Sequence, residues 1–177
     1  KRIPRPAPGG KIDLEAGEKA LEIREDLHQP YSRVLSITQC TECGTVYSLE
    51  ELKRISDFCR AHKLYCHMDG ARLSNAAAHL GVPLKALSTD AGVDVLSFGG
   101  TKNGLMLGEV TLFLNPELGR DFPYIRKQHM QLISKMRFVA AQFTELLKDG
   151  LWLENALHAN AMAVLLEEEI KGLDHLK

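Results

Sequence analysis

The 177-residue chain is 45% hydrophobic and 25% charged, an ordinary globular composition with enough length for a real core, which excludes a disordered chain. A formal net charge of -1 offers no general attraction to nucleic acid or to an anionic membrane. No apolar run approaches the roughly 20 residues of a membrane helix, so no membrane partner is expected.

The start, Lys1 to Lys11, is basic and rich in proline and glycine. It has no apolar stretch behind it, so it reads as an irregular segment and not as a secretory signal, and a cytoplasmic location is expected. From Asp13 to Ile23, Leu14, Ala20 and Leu21 mark a short surface helix, weakened at Gly17. Arg33-Val34-Leu35-Ser36-Ile37-Thr38 is a β-branched apolar run and predicts a buried strand. Thr38, Gln39, Thr41 and Glu42 crowd its carboxyl end, where polar side chains are either turn residues or ligand contacts.

Ser48 with Glu51 three residues later forms a capping box for a helix whose apolar face is Leu49, Leu52, Ile55, Phe58 and Cys59. A strand from Leu64 to Met68 completes a βαβ unit, with Asp69 just past it. A further helix runs from Ala71 to Leu80 and stops at Gly81 before Pro83. Leu84 to Ala91 is a second, short helical turn that feeds a strand from Val93 to Ser97. Val110 to Leu114 returns as a strand so soon after the intervening loop that an antiparallel neighbour is expected, and Asn115-Pro116 ends it. From Arg120 the pattern turns helical up to Gly172. Its basic cluster, Arg126, Lys127, Lys135 and Arg137, is too short in a chain that is not basic to be a nucleic-acid face, so a solvated or interface face is preferred. The order of elements predicts an α/β fold, a mostly parallel sheet flanked by helices.

The four cysteines include the C-x-x-C of Cys40 and Cys43, which is compatible with a redox pair or half of a zinc site. Cys59 on a helix stripe and Cys66 within a strand instead read as small hydrophobes, and no metal site is assigned.

Two stretches carry chemistry. The run Val93 to Gly104 is a strand that meets a loop of small residues holding one lysine, Lys102, with paired glycines where the backbone comes close to something. Leu64 to Arg72 repeats the design and ends in an acid, Asp69, and a glycine. In open α/β sheets ligands sit beyond the carboxyl ends of the strands, so Asp69 and Lys102 are expected to face one site. Pyridoxal phosphate needs both groups. Its aldehyde condenses with a lysine amine, and its ring nitrogen stays protonated beside a carboxylate, which makes the ring an electron sink.

The wording of the motifs is more specific than their chemistry. His67-Met68-Asp69-Gly70-Ala71-Arg72-Leu73 with Asn75-Ala76 resembles the H-x-D-G-A-R-x-x-N-A signature of the threonine aldolase family, fold-type I pyridoxal phosphate enzymes. Ser97 to Gly104 is similar to the Schiff-base loop of its low-specificity and phenylserine aldolase branch, Ser36 to Ser48 to the family's strand and loop before the acid, and Ser134 to Phe138 to its segment after the lysine. Met130 stands where this branch usually has glycine, and Cys40 and Cys43 are not features of the family.

The resemblance implies a lyase that cleaves a β-hydroxy-α-amino acid of threonine or phenylserine type to glycine and an aldehyde. The neighbouring alternatives are a β-eliminating lyase and a non-catalytic truncated or split fragment. It implies pyridoxal 5'-phosphate as cofactor, a small amino acid as substrate and a homo-oligomer, dimer or tetramer. It assigns Lys102 to the cofactor aldehyde, Asp69 to the ring nitrogen and Arg72 to the substrate carboxylate, which a planar guanidinium grips with two hydrogen bonds. Thr101 and Gln39 are weaker candidates for cofactor oxygen contacts. His67, with its side chain expected to alternate away from Asp69, reads as a core or supporting residue and not as the catalytic base. Members of the family also carry a Gly-Thr phosphate turn before this stretch and a small domain after it. Residues 1–177 are thus expected to be part of a cofactor-binding large domain, mainly helical over 120–171, that alone holds the cofactor weakly or not at all.

Overall fold

The computed structural model describes residues 7–21 and 31–173, and the expected helix end at Ile23 lies outside them. Pro8–Gly10 forms a single 3-10 turn within the segment expected to be irregular. Helix α1 (Leu14–Leu21) starts where Asp13 Oδ1 accepts the main-chain N–H groups of Glu15 and Ala16. It runs unbroken through Gly17, where a Cβ would meet the Phe58 ring at 3.6 Å, an ordinary contact distance. Neither packing nor backbone conformation requires glycine there, and the helix tolerates the propensity cost.

Helix α2 (Leu49–Ala61) has the expected capping box. Ser48 Oγ accepts from Glu51 N–H at 3.1 Å, and Glu51 Oε2 accepts from Ser48 N–H at 2.7 Å. Lys11 Nζ donates to the same carboxylate at 2.8 and 2.9 Å and holds the Glu51 carboxyl below its usual range. The first segment is thereby tied to α2.

Strands β1 (Val34–Thr38), β2 (Tyr65–Gly70), β3 (Val95–Gly99) and β4 (Glu109–Phe113) form one sheet in that order. The first three are parallel and β4 runs antiparallel to β3. This is the mostly parallel α/β sheet that the sequence predicts, with the short return strand in the expected direction.

Two details differ. β2 extends two residues further than expected, so Asp69 lies inside it, paired with Thr38 on one side and Ser97 on the other. β1 is also not buried on both faces. Leu35 and Ile37 point into the core while Val34 and Ser36 are exposed. The same alternation runs across the sheet, with Cys66, Met68, Leu96 and Phe98 inward and His67, Asp69 and Ser97 on the other face.

Leu52, Ile55 and Cys59 of α2 and Leu73, Ala76 and Ala77 of helix α3 (Leu73–Leu80) join the inward strand residues in one core. Gly81, at φ 64°, ends α3 in the left-handed conformation as expected. Leu84–Leu87 is a 3-10 turn within the stretch read as helical to Ala91. Beyond β4 lie α4 (Phe122–Gln128), α5 (Met136–Leu147) and α6 (Leu151–Ile170). Cys59 and Cys66 are buried as small apolar groups. Hydrogen bonding to Cys59 and burial push the Cys66 thiol up.

Candidate active site

Asp69 owes its position to the main chain on both sides. Its carbonyl accepts from Gln39 N–H at 2.9 Å, which seats the loop after β1, and its Oδ1 accepts from Ala71 N–H at 3.0 Å. Among the described residues, that is the one hydrogen bond its carboxylate receives. A half-exposed carboxylate with one oxygen anchored and the other open is oriented for an external donor.

The lysine loop reaches Asp69 by close packing. A Cβ on Gly99 would lie 2.7 Å from Ala71 Cα and 2.8 Å from its carbonyl oxygen, so only glycine lets the end of β3 rest on the residue that holds the Asp69 carboxylate. Gly100 is packed as tightly, with Leu105 and Phe143 occupying the space of its missing side chain. Thr101–Asn103 then forms a 3-10 turn with Lys102 exposed at its middle. Thr101 is exposed as well, its hydroxyl donating to Gly108 C=O at 3.4 Å. The glycines are expected to mark a close approach, and for Gly99 the neighbour is the acid's own loop.

Arg72, three residues past the acid, donates through Nη1 to Glu42 Oε1 at 3.2 Å. With its side chain 34% exposed and that of Glu42 75% exposed, this is a wet pair that a competing carboxylate can open. Gln39 is placed differently from a surface contact. It is fully buried, and both its amide atoms bond the main chain of Tyr47, at 2.9 and 3.0 Å. Thr41 is likewise a loop builder, its hydroxyl accepting from Cys43 and Thr45 N–H groups. The carboxyl ends of β2 and β3 thus bring Asp69, Arg72 and the Lys102 loop together, while Gln39 supports the floor beneath them.

His67 lies on the same face as Asp69, contrary to the expectation that it alternates away, because residues two apart on a strand share a face. Its ring bridges three strands, with Nδ1 2.8 Å from Ser36 Oγ and Nε2 3.1 Å from Ser97 Oγ. Burial pushes the imidazole below its ordinary range, and the nearby Asp69 charge opposes that shift. This polar line was not anticipated. Its signal was the regular placing of Ser36, His67 and Ser97 between apolar residues.

A cleft of about 470 Å³ opens at the other end of the sheet, lined by Ser56, Arg60, Asp94 and Asn115 among others. The Asp94 carboxylate there is consumed by Cys66 N–H at 2.8 Å and Asn115 Nδ2 at 3.1 Å, so it serves the sheet. The free functional groups gather at the carboxyl end instead, where open α/β sheets bind ligands.

Comparison with known proteins fits this geometry. The family model described as beta-eliminating lyase matches residues 2–176. Low specificity L-threonine aldolase of Pseudomonas sp. (strain NCIMB 10558) is 49% identical over 165 residues, covering 93% of this chain and 48% of that protein. The Pseudomonas aeruginosa protein of the same name is 55% identical over 145 residues, covering 82% and 42%. A solved Leishmania major threonine aldolase superposes with a TM-score of 0.90 at 33% identity, over 97% of this chain and 50% of that one. The chain therefore spans about half the length of the relatives it matches.

Proposed function

The chain belongs to the beta-eliminating lyase family, and from that premise we propose that it forms part of the cofactor-binding large domain of a pyridoxal-phosphate-dependent carbon-carbon lyase. The reaction is that of a threonine aldolase, cleavage of a β-hydroxy-α-amino acid of threonine or phenylserine type to glycine and an aldehyde. The observation that carries this reading is the packing of Gly99 on Ala71, which sets the Lys102 loop against the anchored Asp69 carboxylate. The names of the Pseudomonas relatives support the choice of reaction.

The residues present suit the cofactor. Asp69 would hold the ring nitrogen with the oxygen that Ala71 leaves open, and an anchored carboxylate is the group that keeps such a nitrogen protonated. Lys102, exposed in a loop of small residues, would hold the cofactor aldehyde through its ε-amine, and Thr101 would contact a cofactor oxygen. When bound, the cofactor supplies an electron sink for the bond that breaks at the substrate α carbon. Arg72 orients that carbon by exchanging Glu42 for the substrate carboxylate, which fixes the Cα–Cβ bond in one direction. Gln39 acts indirectly, by seating the loop whose main-chain N–H meets the Asp69 carbonyl.

The same reading carries a cytoplasmic enzyme that works as a homo-oligomer, a dimer or tetramer. Exposed apolar side chains on α5 and α6, such as Phe138 and Leu166, support the assembly. The family description favours a second reaction, elimination of a β-substituent by the same lysine and acid. Supplying threonine with pyridoxal phosphate and measuring products separates the two. Glycine with an aldehyde supports the aldolase, whereas a 2-oxo acid with ammonia supports the elimination.

A further inference from the structure

Helix α6 touches both halves of the candidate site through amide side chains. Asn155 Nδ2 donates to the main-chain carbonyl of Asn103 at 2.8 Å, and Asn103 Nδ2 donates back to Trp152 C=O at 3.1 Å. Five residues further on, Asn160 makes a second reciprocal pair. Its Nδ2 donates to Asn75 C=O at 3.0 Å, and its Oδ1 accepts from Asn75 Nδ2 at 3.0 Å. Asn103 is the residue after Lys102, and Asn75 lies in the first turn of α3, which follows Asp69 and Arg72 directly.

These bonds do more than fill space. Most of α6 is exposed, including Leu157 at 50% and Leu166 at 61%, and the helix buries only Ala156, beside Asn155. Apolar burial therefore holds the helix weakly, and the amides fix where it sits. The 3-10 turn around Lys102 is three residues long, too short to hold its own geometry. Asn103 is 5% exposed and its Oδ1 has no partner, so the loop carries a buried acceptor beside the lysine that a free surface turn would leave in water. Gly104, at φ 111°, completes the fit, since its missing Cβ would lie 2.7 Å from Asn155 Nδ2.

We infer that α6 is a brace that sets Lys102 relative to Asp69, with Asn155 and Asn103 as positioning residues. Along a rigid helix the two amide pairs stand about 7.5 Å apart, so the acid's side of the site and the lysine's side are gauged by one rod. What the lysine is positioned for rests on the lyase reading; the brace itself does not.

The test uses a protein that contains this chain within the whole cofactor pocket, with two readouts. Hydrogen exchange reports on the loop through the amides of Asn103 and Leu105, which donate to Gly100 C=O at 3.0 and 3.1 Å. Reaction with pyridoxal phosphate followed by borohydride and peptide mapping reports the share of label on Lys102 among all lysines. Asn155→Asp keeps the shape and removes the donor. It should speed exchange at those two amides by about tenfold or more while β2 and β3 keep their protection. The Lys102 share of the label should fall by about fivefold. Asn155→Ser, shorter and neutral, should do the same if the acidic variant fails to fold. Ser48→Ala, which weakens the distant cap of α2, is the stability control and should move neither readout. Unchanged loop exchange in both Asn155 variants, or an equal loss of label share in Ser48→Ala, would overturn the brace. A wild-type protein with the whole pocket that is labelled without preference for Lys102 would instead count against the lyase reading, with the exchange rates still deciding the brace.

Discussion

Gly99 rests on Ala71, with the position of a Cβ only 2.7 Å from the Ala71 Cα. Through that contact the end of the lysine strand bears on the residue whose N–H anchors the Asp69 carboxylate at 3.0 Å. The acid and the lysine loop thus meet at a backbone contact between the end of β3 and the residue just past β2. Gly99→Ala cannot be accommodated by a side-chain rotation, because both close atoms belong to the main chain. It should destabilise the chain by roughly 1–3 kcal/mol, read from the urea midpoint. It should also lower labelling of Lys102 more than labelling of the other lysines.

The Ser36–His67–Ser97 line gives a pH-dependent component of stability. Burial lowers the folded-state imidazole pKa, with Asp69 opposing. The unfolded chain therefore takes up a proton first, near pH 6.5, and the folded state is penalised from there downward until its own imidazole protonates. Stability from this group is full above about pH 6.5 and declines as pH falls below it. His67→Asn should flatten that part of the profile relative to wild type in urea melts between pH 5 and pH 8, so equal slopes in the two proteins would rule the assignment out.

In the proposed reaction Glu42 would compete with the substrate carboxylate for Arg72. The pair is exposed and worth about 0.2–1 kcal/mol, so Glu42→Gln should lower KM for the amino acid by at most about fivefold and leave kcat unchanged. Arg72→Lys should act in the opposite direction. Losing a two-pronged charged contact costs about 1.5–3 kcal/mol, which appears as a rise of roughly tenfold to a hundredfold in KM. Steady-state kinetics with threonine, in a protein that contains the whole cofactor pocket, check both variants, and a Glu42→Gln enzyme with a raised KM would contradict the exchange of partners.

The sheet was legible from the apolar runs, the capping box and the short return after the lysine loop, because each is a local signal. The side of β2 on which His67 lies was equally local, since two residues apart means one face. Reading β1 as buried on both sides hid the same alternation, in which Ser36 points outward. Gln39 was harder to read. A polar residue just past a strand looks like a ligand contact until Tyr47, eight residues on, is seen to take both of its amide atoms. The bond between Asn103 and Asn155 spans 52 positions, and no periodicity or spacing carries that information. What sequence can offer there is only composition: Asn155 and Asn160 in the first half of a helix rich in leucine and alanine.

In the proposed function Lys102 is the residue that holds pyridoxal phosphate beside Asp69. This role is tested most directly in a protein that contains this chain within the whole cofactor pocket, by adding pyridoxal phosphate, reducing with borohydride and mapping the added pyridoxyl mass by peptide mass spectrometry. The mass should accumulate on the peptide containing Lys102 ahead of every other lysine peptide, and Lys102→Ala should remove the visible absorbance gained on adding the cofactor. Label spread evenly over the surface lysines, or an unchanged absorbance in Lys102→Ala, would contradict it.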